Sequence, residues 1–133
     1  MRELWGDFLP MEEMGNISSL GLAYIGDAVF ELHIRLKICR QGKLTASKMH
    51  DIAVDHVNAH AQSVYVNKLL PVLSDDELSV FKRGRNAKVY SVPRNADLSE
   101  YHAATGLEAL IGYLFLRGKN DRLAELFDIM IGE

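Results

Sequence analysis

The chain is 133 residues long, with 48% hydrophobic and 25% charged residues and a formal net charge of −3 at pH 7. This length predicts one domain over residues 1–133, and the longest run without a polar side chain, Ala109 to Leu116, is too short for a membrane helix of ~20 apolar residues. No secretory signal is visible at residues 1–7, and the single cysteine, Cys39, excludes an internal disulfide and a cysteine-rich zinc site, so we expect a cytoplasmic protein without a membrane partner.

The first two predicted elements cover residues 4–40. Apolar residues at positions 4, 5, 8 and 9, followed by Pro10, predict either a short amphipathic helix or an anchoring arm. A second helix begins at a cap on Ser18 or Ser19 and runs to about Arg40. Because its apolar residues wrap most of the circumference, we expect this helix to be buried.

Two helices are predicted in the middle of the chain. The third helix is capped by Thr45 or Ser47 and extends to about residues 65–70, where Pro71 stops it. Residues 74–77, Ser-Asp-Asp-Glu, form a capping box for the fourth helix, which ends between residues 84 and 88.

The last part of the chain predicts a loop and two further helices. Residues 89–97 contain Ser, Pro and Asn and indicate a loop. Ser99 can cap a long helix to Leu116, and Leu123 to Met130 predict a final amphipathic helix. Since no alternating strand pattern of useful length occurs, the sequence predicts an all-α fold.

Two acids occur in otherwise apolar helical stretches. Asp27 lies within residues 23–30 and Glu108 within residues 103–114, and we expect both to be buried. A buried carboxylate needs a cation, strong hydrogen bonds or a raised pKa. A divalent ion such as Mg²⁺ or Mn²⁺ would satisfy both acids. The alternative is that each acid is solvated at a rim or caps a neighbouring helix.

Basic residues are concentrated between Leu78 and Ala96. This segment contains no acid, so it carries +5 within a chain of net charge −3. Such a local excess predicts a docking surface for an anion, although a solvated loop with helix-end charges explains it equally well. The five cations are Lys82, Arg83, Arg85, Lys88 and Arg94.

Two motifs carry a family resemblance. Residues 22–29, Leu-Ala-Tyr-Ile-Gly-Asp-Ala-Val, resemble the signature helix of ribonuclease III nuclease domains, and residues 105–112, Thr-Gly-Leu-Glu-Ala-Leu-Ile-Gly, resemble the second metal-binding helix of that family. Three positions that usually carry acids hold Leu20, Ala23 and Thr105 instead. These departures, the basic segment and the lack of a double-stranded-RNA-binding domain resemble the Mini-ribonuclease III branch of the family.

The resemblance implies a ribonuclease III-type endonuclease domain whose metal-binding catalytic acids are Asp27 and Glu108. It implies Mg²⁺ as the cofactor, with Mn²⁺ able to substitute, and leaves open whether one or two ions bind and whether Glu31 assists. The basic segment then becomes the RNA-binding surface. Its expected contacts are Lys82, Arg83, Arg85, Asn86, Lys88, Arg94 and Asn95.

We also expect a homodimer formed through the signature helix. Apolar residues on this helix exceed what a small domain can bury, and small residues such as Gly26 would let a partner helix approach. Two-fold symmetry would match the two antiparallel strands of a duplex. The expected interface residues are Leu20, Ala23, Tyr24, Ile25 and Ala28.

The resulting hypothesis is a Mg²⁺-dependent endoribonuclease that cleaves double-stranded RNA. By resemblance, its substrate is the precursor of large-subunit (23S) ribosomal RNA, which a ribosomal protein could present. The alternative is a non-catalytic RNA-binding or ribosome-associated module on the same fold, because three of the usual acid positions are empty.

Overall fold

The computed structural model describes residues 4–88, 92, 94 and 97–132. In these ranges the chain forms seven α-helices and one 3-10 turn, with no β-strand, which confirms the all-α prediction. None of the helices in these ranges combines the length and hydropathy that crossing a bilayer requires. The helices are α1 (Met11–Met14), α2 (Ser19–Cys39), α3 (Ala46–Val57), α4 (Ala59–Leu69), α5 (Asp75–Arg85), α6 (Leu98–Leu116) and α7 (Asn120–Ile131), and the 3-10 turn is Leu70–Val72.

Three predicted helix starts are confirmed by their capping hydrogen bonds. The Ser18 hydroxyl accepts from the backbone N–H of Gly21 at 2.9 Å and begins α2. The Thr45 hydroxyl begins α3 in the same way. Ser74 and Glu77 form the reciprocal capping box at the start of α5. Each cap satisfies backbone N–H groups that have no partner within the helix.

Two helix boundaries differ from the prediction. The single third helix is in fact two, α3 and α4, separated at Asn58, whose backbone is extended and whose side chain caps α4 by accepting from Ala61 N–H at 2.8 Å. Helix α6 is capped by Asp97 and not by Ser99. Asp97 forms the cap because it lies one residue before the helix, where its carboxylate accepts from the N–H of Glu100 at 3.1 Å. The predicted loop at 89–97 falls mostly outside the described residues.

Helix α6 is the central element of the fold. It packs against α2, α4, α5 and α7, and its contact with α2 is the most extensive between any two described helices. Its apolar residues point in every direction because neighbours cover it on several sides. The largest fully buried side chains of the core are Phe30, Leu69, Leu107, Leu110, Ile111, Leu126 and Met130.

Helix α2 is buried on one side only, so the prediction that it is buried all round is wrong. Its inward residues follow a helical repeat through Leu22, Gly26, Phe30 and Ile34. The opposite side remains exposed, since no described element of the chain covers it. The large hydrophobic residues on that side are Leu20, Tyr24, Leu32 and Leu36.

Helix α5 is fixed at both ends. Near its start, Arg122 of α7 donates to both carboxylate oxygens of Glu77, at 2.8 and 2.9 Å, and to the carbonyl of Val72 at 2.7 Å. The hydrogen bonds from Arg122 hold the pKa of Glu77 below its ordinary value. Near its end, a β-carbon on Gly84 would lie 2.7 Å from Cβ of Ala109, so only glycine permits this approach to α6.

Residues 4–9 form an arm, one of the two predicted alternatives. The arm follows the far end of α6: the N–H of Leu9 donates to the Leu116 carbonyl at 2.8 Å, and Arg117 donates to the Leu9 carbonyl at 3.0 Å. Phe8 covers Gly118, whose φ of +72° favours glycine. The arm therefore belongs to the packing around α6.

Candidate active site

The two acids indicated by the sequence lie side by side where α2 crosses α6. The crossing is close because both helices carry glycine there. A β-carbon on Gly26 would lie 1.7 Å from the Glu108 carbonyl oxygen, and one on Gly112 would lie 2.0 Å from that of Leu22. Asp27 directly follows Gly26, so this backbone contact brings its carboxylate to hydrogen-bonding range of Glu108.

Glu108 titrates far from the usual range of a glutamate. Burial, the charge of Asp27 and a hydrogen bond with Asp27 raise the pKa of Glu108 from 4.5 to about 8, against a smaller lowering by a hydrogen bond from Gln62. Without a cation, Glu108 therefore retains its proton near neutral pH.

The burial of the two acids is unequal. Glu108 is half-buried, as its position on the central helix requires, but Asp27 is exposed. The expectation that Asp27 is buried is therefore wrong. The apolar neighbours of Asp27 in the sequence suggested that it is buried. In the structure, Asp27 lies at the edge of the α2–α6 contact, on the part of the helix surface that faces solvent.

The pair has the chemistry of a divalent-metal site. Two adjacent carboxylates repel each other, and a cation between them removes that repulsion. Mg²⁺ is commonly held by one or two carboxylates, with water and substrate phosphate completing its ligands. Within the part of the chain that the structure describes, no group of three or more His, Cys, Asp or Glu residues is arranged to hold a metal. Glu31 is ion-paired with Arg35 at 3.3 Å. The residues present thus fit an ion held by two protein carboxylates.

Gln62 is a site residue that the sequence analysis missed. It lies on α4, is 2% exposed, and its Nε2 donates to Oε2 of Glu108 at 3.3 Å. The available signal was its position: Gln62, Tyr65, Val66 and Leu69 share one face of α4, and the other three are hydrophobic. A polar residue within such a face indicates a buried partner.

The basic segment begins on the last turn of α5. Lys82 and Arg83 are exposed there, and Arg85 is half-buried with its guanidinium 5.6 Å from the ring centre of Phe81. Asn86 ends the helix and is exposed. The packing of Gly84 on α6 places this turn beside Gly106, two residues before Glu108 in sequence.

The remaining predicted RNA contacts follow α5. Lys88 and Arg94 are both exposed, and Asn95 lies outside the described residues. No hydrogen bond or ion pair joins the described cations of this segment to Asp27 or Glu108. The structure therefore places Glu108 on α6 close in sequence to the residues on which the basic turn of α5 packs, without a described hydrogen bond or ion pair between the cations and the acids.

The predicted dimer residues fall into two groups. Tyr24 is 84% exposed, Leu20 is 38% exposed, and Ala28 is also exposed, while Ile25 is half-buried. Ala23, by contrast, is buried within the chain. Its cluster contains Met14, Leu22, Val80 and Ala109.

The role expected for Gly26 was also wrong. Gly26 accommodates α6 of the same chain, not a helix of a partner. Small residues permit close approach without specifying which helix approaches. The interface through the exposed side of α2 stays a prediction.

Comparisons with known proteins agree with these motifs. The protein-family model described as the Ribonuclease III domain matches residues 20–119. Mini-ribonuclease 3 of Symbiobacterium thermophilum is 43% identical over 107 residues, which cover 80% of this chain and 82% of that protein. Mini-ribonuclease 3 of Clostridium tetani is 39% identical over 127 residues, covering 95% of this chain and 84% of that protein.

A solved structure extends the comparison to three dimensions. A crystal structure of a protein from Fusobacterium nucleatum superposes with a TM-score of 0.80 at 32% identity, covering 87% of this chain and 94% of that chain. Both predicted motif helices fall within the matched range, residues 20–119. The chain therefore belongs to the ribonuclease III family, and within it to the Mini-ribonuclease 3 group.

Proposed function

We propose that this chain is a Mg²⁺-dependent endoribonuclease that cleaves double-stranded RNA, with Asp27 and Glu108 as its metal-binding catalytic acids. A ribonuclease activity follows from the family. The observation that carries the finer proposal is the juxtaposition of Asp27 and Glu108, which are 81 positions apart in sequence yet adjacent at the α2–α6 crossing. Two adjacent carboxylates, one of them half-buried, repel each other when both are ionised unless a cation is bound.

The two acids have different surroundings and therefore different duties. Asp27 is exposed and can meet substrate directly, whereas Glu108 is half-buried and is held by Gln62. Both must be ionised to bind a cation, so ion binding requires Glu108 to release its proton. A bound divalent ion supplies an activated water and offsets the charge that develops on the leaving oxygen of the phosphodiester. Mn²⁺ can take the same oxygen ligands.

The basic turn of α5 is the proposed RNA-binding surface. Double-stranded RNA is recognised mostly through phosphates and 2′-hydroxyls across the minor groove. The exposed cations suit phosphates and Asn86 suits a hydroxyl, so we assign RNA contacts to Lys82, Arg83, Arg85, Asn86, Lys88, Arg94 and Asn95. Attachment of α5 to α6 supports this assignment, because it sets these side chains near the helix that carries Glu108.

We propose a homodimer through the exposed side of α2. One site cuts one strand, and two-fold related sites would address the two antiparallel strands of a duplex. The exposure of Leu20, Tyr24 and Ala28 supports this interface, since apolar residues grouped on one helix side are typical of a contact surface.

The proposed substrate is the precursor of large-subunit (23S) ribosomal RNA in the cytoplasm, with a ribosomal protein as a possible presenter of the RNA. The resemblance to Mini-ribonuclease III supports this assignment. The exposed free thiol of Cys39 is consistent with a reducing compartment.

A non-catalytic RNA-binding module is the second candidate. One observation favours it: within the described residues no third acid joins Asp27 and Glu108. The two candidates differ in a single measurable property, because a binding module would retain RNA affinity without cutting either strand.

The experiment incubates the protein with double-stranded RNA with and without Mg²⁺ and maps cuts on both strands. Asp27→Asn and Glu108→Gln should each lower cleavage by at least ~100-fold, since even outer partners of a metal cost 10–100-fold when removed. Asp55→Asn, an exposed acid on α3, should leave cleavage unchanged. Binding of RNA without cleavage by the wild type would favour the second candidate, and near-normal cleavage by Asp27→Asn at saturating Mg²⁺ would refute the metal assignment.

A further inference from the structure

Few polar residues are buried among those that the structure describes, and each of these has a described partner. Three are buried among the described residues: Glu77, Thr105 and Gln62. Glu77 pairs with Arg122, and the Thr105 hydroxyl donates to a carbonyl of its own helix. Gln62 differs from both because its partner is one of the two acids of the candidate active site.

The position of Gln62 gives no packing reason for a glutamine. It occupies the inward face of α4 with Tyr65, Val66 and Leu69, where an apolar side chain would satisfy the core. A buried carboxamide needs hydrogen bonds to offset its lost hydration. The described bond that it makes is the one from Nε2 to Glu108 Oε2 at 3.3 Å.

The geometry of that bond restricts Glu108. A carboxylate on a flexible side chain can rotate about its terminal torsion, and a donor fixed in the core limits this rotation. Helix α4 supplies such a fixed donor, since it packs on α6 and is itself capped by Asn58. The bond engages one oxygen of Glu108, Oε2, and leaves the other oxygen without a bond from Gln62.

We propose that Gln62 is a positioning residue that holds the Glu108 carboxylate in the orientation required to bind the metal ion. The inference rests on the proposed function, because it assigns Gln62 a role in that same site. Hydrogen-bond partners of metal ligands act in this way: they orient the ligand, and their loss typically weakens metal binding or activity by 10–100-fold.

The test compares two variants of α4. Gln62→Met keeps the length of the side chain and removes the N–H donor. Tyr65→Phe is the matched control: Tyr65 lies on the same helix as Gln62, and the substitution removes its part-buried hydrogen bond with Nδ1 of His56 at 2.6 Å, which involves neither acid. Circular dichroism checks the folding of both, and Gln62→Leu replaces Gln62→Met if the latter does not fold.

The main readout is Mn²⁺ binding to the metal-free protein without RNA, followed by the free-ion signal in electron paramagnetic resonance. We expect about tenfold weaker binding for Gln62→Met and unchanged binding for Tyr65→Phe. In cleavage assays, the Mg²⁺ concentration for half-maximal rate should rise by a similar factor for Gln62→Met, while the rate at saturating Mg²⁺ recovers.

Equal Mn²⁺ affinity of Gln62→Met and wild type would overturn the inference, as would an equal loss in Tyr65→Phe, which would indicate a general effect of disturbing α4. Asp27→Asn separates this failure from failure of the proposed function. A wild type that binds Mn²⁺ no better than Asp27→Asn and does not cleave contradicts the proposed function. If the wild type binds Mn²⁺ better than Asp27→Asn and cleaves RNA, and Gln62→Met does so equally well, only the role of Gln62 is overturned.

Discussion

Substitution of Gly26 by alanine tests the helix crossing that brings the two acids together. The added β-carbon would lie 1.7 Å from the Glu108 carbonyl oxygen and 2.8 Å from the Gly112 nitrogen, whereas real β-carbons essentially never come within 3.0 Å of such atoms. Helices α2 and α6 must therefore separate by about 1.3 Å or more. Because the obstructing atoms belong to the backbone and cannot rotate away, we expect the free energy of unfolding to fall by about 3 kcal/mol, the upper end of the usual cost of overpacking a core.

The same displacement should damage catalysis in the folded fraction. Misplacement of reacting groups by about 1 Å can cost ~100-fold in rate, and Asp27 is carried by the residue next to the obstruction. Urea unfolding measures the free energy, and duplex cleavage at saturating Mg²⁺ measures the rate. Gly15→Ala is the control, since nothing lies within 4 Å of its added β-carbon. If Gly26→Ala matches Gly15→Ala in stability and cleavage, the close α2–α6 crossing is wrong.

Three further predictions concern charge, RNA and assembly. The pKa of Glu108 is raised from 4.5 to about 8, so between these pH values the folded chain holds a proton that the unfolded chain releases. With EDTA present, the free energy of unfolding should therefore fall as pH rises from about 4.5 to about 8. If Glu108→Gln shows the same slope of unfolding free energy against pH as the wild type, this prediction is wrong. Arg83→Ala and Lys88→Ala should each reduce the dependence of log affinity on log salt by about 0.9 for duplex RNA, whereas Lys48→Ala on α3 should not; unchanged slopes in both variants would remove the segment from the interface. Ile25→Glu and Tyr24→Glu should yield monomers or aggregates in sedimentation and abolish double-strand cleavage, and an active wild-type monomer at assay concentration would defeat the dimer.

The helix starts could be predicted where they depend on neighbouring residues alone. The capping box of Ser74 and Glu77 involves a hydroxyl, a carboxylate and two backbone N–H groups within four residues, so tertiary structure adds nothing to the choice. The break at Asn58 was harder, because apolar residues continue on both sides of it. Its signal was the residue type, since asparagine favours the cap position and Asn58 caps α4 through its side chain.

The candidate site likewise has features that the local sequence predicts and features that depend on distant parts of the chain. Asp27 and Glu108 could be chosen from the sequence because a charge within an apolar helical stretch requires a partner. The exposure of Asp27 could not be predicted from the sequence, because it depends on which side of α2 is covered by the rest of the chain. The role of Gly26 was misassigned for a related reason: a small residue permits close approach of a helix without specifying which one. Gln62 was missed because its partner is 46 residues away.

The double attachment of α5 has a consequence for how RNA would be selected. Arg122 fixes the start of this helix through Glu77, and the contact between Gly84 and Ala109 fixes its end. The backbone that carries the cations of this helix is therefore preorganised, so little backbone entropy is lost when they meet phosphates. The distance between the basic turn and the acids is then fixed by the protein before RNA binds. An RNA whose groove does not match this distance must then itself bear the cost of deformation, because the helix does not adjust.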